Sequence, residues 1–175
     1  MSTMSLDHTP LPAPAVSRPV LLGTLLTIVA LLELVEGMSS VSMLFGDMSK
    51  ISGPGLGGFL VKAHVAAHVP LALFALATAA FWPRYAVMAL AALALTEWLS
   101  DMPSVIRHGL EFGSGISAVE TVVRIIAIPL MAACAIALAK RNEQRWTAAA
   151  LACAATLFKV AGIVIFAIGI SIYGF

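Results

Sequence analysis

Long, almost uncharged apolar stretches constrain this chain more than any other feature of its sequence. A helix that crosses a lipid bilayer needs about 20 mostly apolar residues. Soluble domains contain roughly 45–50% apolar and about 25% charged residues, whereas this chain of 175 residues contains 61% and 11%. Five stretches meet or approach the length of a span, namely Val20–Phe45, Phe59–Phe81, Tyr85–Ser100, Ser117–Ala139 and Thr147–Tyr173. The sequence therefore predicts an all-α integral membrane protein, a bundle of about five transmembrane helices, or of four if the short third stretch does not cross.

The N-terminal segment differs in composition from the rest of the chain. It contains Pro10, Pro12, Pro14 and Pro19 and few large apolar side chains. Such a segment buries too little apolar surface to offset the entropy lost on ordering. We therefore expect a disordered tail over residues 1–19 and a single transmembrane helical domain over residues 20–175. No A-x-A-like cleavage site follows the first apolar stretch, so that stretch is predicted to be a retained span and not a signal peptide.

Lysine and arginine are distributed unevenly between the loops that successive spans would place on opposite sides. With the N-terminus inside, the cytoplasmic side would hold Arg18, Arg84, Lys140, Arg141 and Arg145, and the outer loops only Lys50 and Arg107. Cytoplasmic loops of membrane proteins carry an excess of these residues. The sequence therefore predicts a cytoplasmic N-terminus and an outer C-terminus. The compact spans, rich in alanine and leucine, indicate a multi-pass protein of a bacterial inner membrane.

The expected partners follow from the same features. The first expected partner is the lipid bilayer. We also expect the chain to form a homo-oligomer or to be a subunit of a larger membrane complex, because five spans are few for a transporter acting alone. The net charge of +1 gives no reason to expect a nucleic-acid partner. Cys134 and Cys153 lie inside apolar stretches and belong to no CxxC motif, so both are expected to be packing residues.

Ionisable side chains inside the predicted spans are the main functional signal. Placing a charge at the centre of a membrane helix costs at least about 2.5–3.5 kcal/mol, so such groups usually face protein or a water-filled cavity. The chain carries them in every span: Glu33 and Glu36, then Lys62, His64 and His68, then Glu97 and Asp101, then Glu120 and Arg124, and finally Lys159. Most are spaced i,i+3 or i,i+4, which places both members of a pair on one helix face. We therefore expect these groups to converge in one polar cavity that opens to the outside.

Some of these residues also have simpler interpretations. Ser117 and Glu120 fit a capping box, in which the glutamate serves only the first helical turn. Glu120 and Arg124 have the acid-first order of a stabilising intrahelical ion pair. Asp101 marks a water interface if the helix ends near Pro103, and Lys62 has a side chain long enough to extend towards the membrane surface.

Two prolines within the spans free backbone carbonyl groups next to these charges. A proline lacks the N–H that would bond the carbonyl four residues earlier. Pro70 thereby frees the carbonyl of Ala66, between the two histidines, and Pro129 frees that of Ile125, next to Arg124.

Proton or cation handling is the function that this pattern favours, in a transporter or a subunit of a transport complex. Carboxylates and histidines in a partly desolvated cavity exchange protons near neutral pH. Glu33, Glu36, Glu97 and Lys159 are predicted to carry this chemistry. Asp101, Glu120 and Arg124 are predicted to line the pathway of the ion or of a small polar ligand.

A metal site is the first alternative. His64 and His68, one turn apart, can present two imidazoles to one divalent transition metal, with a nearby glutamate completing the ligands. The chain would then be a metal-dependent or quinone-linked redox component, although the HExxH pattern of metalloproteases is missing. A structural subunit, whose charges pair only with each other or with a partner, is the remaining interpretation. The chain has no P-loop, no GxGxxG and no GxSxG motif, so whether it is an enzyme stays open.

Overall fold

The computed structural model describes residues 18–45, 55–110 and 115–174, and these form helices joined by short connections, with no strand among them. The predicted tail over residues 1–19 falls almost wholly outside the described residues. A 3₁₀ turn, Val41–Phe45, follows the first helix, and a π-helical turn, Val123–Ala127, joins the fourth helix to the fifth. The helices are α1 (Arg18–Ser40), α2 (Leu56–Thr78), α3 (Pro83–His108), α4 (Gly115–Val122), α5 (Ile128–Arg141) and α6 (Arg145–Tyr173).

Four helical stretches of the described chain are long and apolar enough to cross a membrane. They are Val20–Phe45, Leu56–Thr78, Ala118–Arg141 and Arg145–Ile172. Each corresponds to one of the stretches predicted from the sequence, which confirms an all-helical chain with several candidate spans. The third predicted stretch, Tyr85–Ser100, lies inside α3, and α3 is not one of these four helices.

The helix α3 forms the centre of the bundle. It packs against α1, α2, α5 and α6. Its buried residues are mostly small, which lets neighbouring backbones approach closely: Ala86, Val87, Ala89, Leu90, Ala91, Leu93 and Ala94. Surrounded in this way, α3 tolerates polar side chains that an outer helix would expose to its surroundings.

Several predicted boundaries differ from the structure. The sequence places residues 101–116 between two spans, as an outer loop or a short amphipathic segment on the membrane surface, but α3 continues through Pro103 to His108. An internal proline removes only one helical hydrogen bond, and neighbouring groups can compensate for that loss. The sequence also predicts a glycine-rich outer loop over residues 46–58, but α2 already begins at Leu56; residues 46–54 lie outside the described part of the chain.

Short connections hold neighbouring helices antiparallel. Pro83 occupies the first turn of α3, where its missing N–H costs nothing. Asn142 ends α5 in the left-handed conformation, with φ of 56°, and its N–H bonds the carbonyl of Ala139. Asparagine tolerates this conformation better than most residues do. These two turns connect α2 to α3 and α5 to α6.

Candidate functional site

The ammonium group of Lys159, on α6, contacts carboxylates from two other helices. Its Nζ lies 3.0 Å from both carboxylate oxygens of Glu36 and 2.9 Å from Oε2 of Glu97. An oxygen of a third carboxylate, Oε1 of Glu33, is 3.8 Å away. Lys159 therefore joins α1, α3 and α6 through one positive charge, as predicted for residues that share a polar cavity.

Glu33 is the most enclosed of the three carboxylates. Only 5% of its side chain is exposed, and the hydroxyl of Thr156 donates a hydrogen bond of 2.6 Å to its Oε1. Its Oε2 lies 3.0 Å from Nε2 of His68, whose side chain is 3% exposed. The ring is not aligned for a hydrogen bond at that short distance. Glu33 and His68 are therefore close neighbours, and Nε2 of His68 has no aligned hydrogen-bond partner among the described residues.

Gly37 permits this approach of α2 to α1. A Cβ atom at this position would lie 2.8 Å from Cδ2 of His68 and 3.2 Å from Cγ2 of Val69. The first of these distances is shorter than side-chain contacts allow. Glycine at this position therefore lets the imidazole of His68 lie against α1, within reach of Glu33.

His64 is held by a different partner one turn away from His68. Its Nδ1 lies 3.0 Å from the hydroxyl of Thr96, and that hydroxyl donates its own hydrogen to the carbonyl of Leu93 at 2.9 Å. Thr96 must then accept from His64, which places a proton on Nδ1. The rings of His64 and His68 meet edge to face, with centroids 5.1 Å apart.

The residues Glu33, Glu36, His68, Glu97 and Lys159 are together called the carboxylate cluster. Full ionisation of its acids would place three negative charges against one ammonium, with the imidazole as the only other basic group. One end of the cluster is closed, because Glu33 and His68 are buried. The other end is open, since the side chains of Glu36 and Glu97 are 43% and 33% exposed.

A second charged group lies apart from the carboxylate cluster. Arg124 donates from Nη2 to Oδ2 of Asp101 at 2.6 Å, and its Nη1 is 4.0 Å from Oε1 of Glu120. These side chains border a cavity of about 330 Å³ between the end of α3 and the start of the α4–α5 segment, with Ser104 and His108 on its wall. Asp101, Glu120 and Arg124 thus contact one another, whereas Lys159 contacts Glu33, Glu36 and Glu97; that one cavity joins the two groups stays a prediction.

The carbonyl that Pro129 frees finds a partner across the bundle. The indole Nε1 of Trp98 donates to the carbonyl oxygen of Ile125 at 3.0 Å. This carbonyl lies within the π-helical turn, in which the regular α-helical hydrogen-bond pattern is interrupted. The bond ties α3, one residue after Glu97, to the turn that precedes α5 and carries Arg124.

Sequence inspection missed several residues of the site. The hydroxyls of Thr156 and Thr96 contact Glu33 and His64, yet threonines in apolar helices are common and most bond their own backbone. Their position offered the only signal, because Thr156 lies one turn before Lys159. The predicted metal pair remains a prediction: His64 and His68 are neighbours, but no three His, Cys, Asp or Glu side chains of the described chain gather as ligands for one ion.

Comparison with known proteins adds no relative from which a function could be transferred: no protein-family profile, no curated protein and no solved structure matches the chain. The chain is therefore defined by its own fold and site. It is an all-helical bundle with four candidate membrane-spanning helices. Its most distinctive site is the carboxylate cluster at the junction of α1, α2, α3 and α6.

Proposed function

We propose that the protein spans the inner membrane of a bacterium five times, with α3 as the central span. Four other helices surround α3, so its polar side chains would meet protein or water and not lipid. The distribution of lysine and arginine favours a cytoplasmic N-terminus and an outer C-terminus. In this orientation the open end of the carboxylate cluster lies in the outer half of the bilayer.

The proposed function is the binding and release of protons or small cations at the carboxylate cluster, within a transporter or a transport-complex subunit. The burial of Glu33 between His68, Thr156 and Lys159 is the observation that carries this proposal. A membrane interior strongly disfavours unbalanced charge. Three carboxylates facing one ammonium therefore favour the uptake of a proton or another cation, and His68 is the adjacent group that can exchange a proton.

The second charged group is proposed to line the outer pathway. Asp101 follows Glu97 by one turn on the same face of α3, so the two acids form a short acidic track. The cavity beside Asp101, Glu120 and Arg124 is large enough to admit water or a small polar ligand. Arg124 lies at the edge of this cavity, half exposed, where its positive charge would attract anions and repel cations.

A larger assembly fits the proposal. The carboxylate cluster is closed on one side only, and the second half of α6 exposes apolar side chains on all faces, including Ile163, Ile165 and Phe166. A homo-oligomer or a partner subunit would enclose the open side and complete a pathway across the membrane.

Proton flux into liposomes tests the proposed function. The full chain is reconstituted with a pH-sensitive dye inside, and flux is followed after a pH step. Glu33→Gln is expected to abolish the protein-dependent flux, because a side-chain amide does not take up and release protons near neutral pH. Glu143→Gln, in the exposed turn between α5 and α6, is the matched control and should leave the flux unchanged. Equal flux through wild type and Glu33→Gln would contradict the proposal.

A structural role is the second candidate, favoured by the short ion pairs of Lys159. The variant Glu97→Gln separates the two. If the cluster only holds helices together, this variant lowers the yield of folded protein and any flux in proportion. If the cluster exchanges protons, the folded variant loses flux while Lys159 keeps its contact with both oxygens of Glu36.

A further inference from the structure

The ammonium group of Lys159 occupies a position, among carboxylate oxygens, that a free cation could also occupy. Its ammonium has two oxygens of Glu36 and one of Glu97 within 3.0 Å, and one of Glu33 at 3.8 Å. The helices that carry these acids are fixed independently of Lys159, because α1 and α3 pack directly against each other and against α2. The acids would therefore remain close together if the ammonium left.

A second observation comes from the closed end of the cluster and does not involve Lys159. His68 is almost fully buried, and its Nε2 has no aligned hydrogen-bond partner among the described residues. Oε2 of Glu33, only 3.0 Å away, is an acceptor. When His68 carries its proton on Nδ1, Nε2 is an acceptor as well. Two buried acceptors at this distance repel each other unless a proton or an N–H donor that carries positive charge satisfies both.

We propose that the carboxylate cluster is a binding site for a small free ammonium ion, such as ammonium or a primary alkylammonium, and that Lys159 is its tethered competitor. This inference rests on the proposed function and names the class of cation. A primary ammonium has three N–H donors, which match the acceptors of Glu36, Glu97 and the Glu33–His68 pair. A quaternary ammonium has none and would not fit this arrangement.

Access to the site is compatible with exchange. The side chain of Glu36 is 43% exposed and that of Lys159 is 25% exposed, so an ion can reach the open end without unfolding of the bundle. The long stem of lysine can carry its ammonium away from the acids and towards the membrane surface.

Chemical rescue of a lysine variant tests this proposal. Lys159→Ala, purified in mild detergent, is heated with methylammonium chloride or with tetramethylammonium chloride at the same ionic strength. Methylammonium at saturating concentration is expected to raise the unfolding midpoint by at least about 3 °C over tetramethylammonium, because a ligand that binds only the folded state stabilises it. Lys62→Ala, which removes an exposed lysine of α2, is the matched control and should show no larger difference than wild type.

Wild-type protein supplies a measurement that needs no variant. Because Lys159 must leave before a free ion binds, the apparent dissociation constant for methylammonium should be at least about ten-fold weaker than in Lys159→Ala. If Lys159→Ala does not fold, Lys159→Gln serves in its place, since it keeps the side-chain length and removes the charge. Rescue should disappear when Glu36→Gln is added.

Three outcomes would overturn the proposal. The first is an equal effect of methylammonium and tetramethylammonium on wild type and on the lysine variant. The second is equal rescue by sodium or potassium, which would make the site one for alkali cations. The third is rescue that survives Glu36→Gln. None of these bears on the proton-flux result with Glu33→Gln, so the ammonium proposal and the proposed function fail separately.

Discussion

Replacing Gly37 by alanine tests how closely α1 and α2 must approach at the carboxylate cluster. The added methyl group would lie 2.8 Å from Cδ2 of His68. His68 is buried against Glu33 and His64 and cannot swing out to solvent. The ring or the helix must therefore shift by several tenths of an ångström, and Nε2 would shift relative to Glu33.

The magnitude follows from two opposing effects. Overfilling a packed site typically costs about 1–3 kcal/mol, whereas alanine in place of glycine favours a helix by roughly 0.8–1.0 kcal/mol. Gly23, on the same helix, is the matched control, because a Cβ there would meet Ala79 and Ala80 only at 3.4 Å and 3.6 Å. The helical gain is common to both variants, so Gly37→Ala should be less stable than Gly23→Ala by about 1–3 kcal/mol.

Reversible unfolding by sodium dodecyl sulfate in mixed micelles, followed by circular dichroism, would measure this difference. Proton flux in liposomes provides the second readout, because a displaced His68 should slow flux in Gly37→Ala and leave it unchanged in Gly23→Ala. If the two variants unfold at the same detergent ratio, or if Gly37→Ala is the more stable, the close approach of His68 to α1 is not a constraint and the reasoning fails.

Three further changes probe single contacts. Thr156→Val removes the hydroxyl that donates to the buried carboxylate of α1, and should destabilise the protein by about 1.5–3 kcal/mol in the same unfolding assay, since a hydrogen bond to a charged group is lost. Trp98→Phe leaves the carbonyl of Ile125 without its indole donor and should cost about 1–3 kcal/mol; a loss below that range would mean that water replaces the indole. Metal analysis of purified protein tests the histidine pair: a near-stoichiometric metal lost in the His64→Ala/His68→Ala double variant would favour a redox or metal function over proton handling.

The helical bundle was predictable because the apolar stretches are long and the turn residues are distinctive. Pro83 and the left-handed Asn142 fall where the sequence places connections. The position of α3 was harder to predict, since a helix shielded by four others needs no strongly apolar sequence. Glu97 and Asp101 lower the mean hydropathy of α3. Its alanines are buried in the structure, but the sequence alone does not show which helices pack against them. Pro103 also suggested an end that the helix does not have.

The sequence predicts which residues belong to the site better than it predicts how they are arranged. Spacing along one helix shows which side chains share a face, and this places Glu33 beside Glu36. It does not show which faces of different helices meet, because that depends on the rotation of each helix within the bundle. Arg124 illustrates the limit: its spacing predicts a pair with Glu120 on its own helix, but its short contact, at 2.6 Å, is to Asp101 on α3.

The balance of charge within the carboxylate cluster argues against ion pairing as its whole purpose. A buried ion pair contributes little net stability compared with well-packed apolar side chains, because both charges must be removed from water. A cluster that served only to join helices would gain most from one lysine per acid, yet here Lys159 faces Glu36 and Glu97 at once, while Glu33 relies on a hydroxyl and an imidazole. The surplus acid is costly unless a proton or another cation occupies it. Under the proposed function, such a cation would enter beside the exposed Glu36 and would bind between the buried Glu33 and His68.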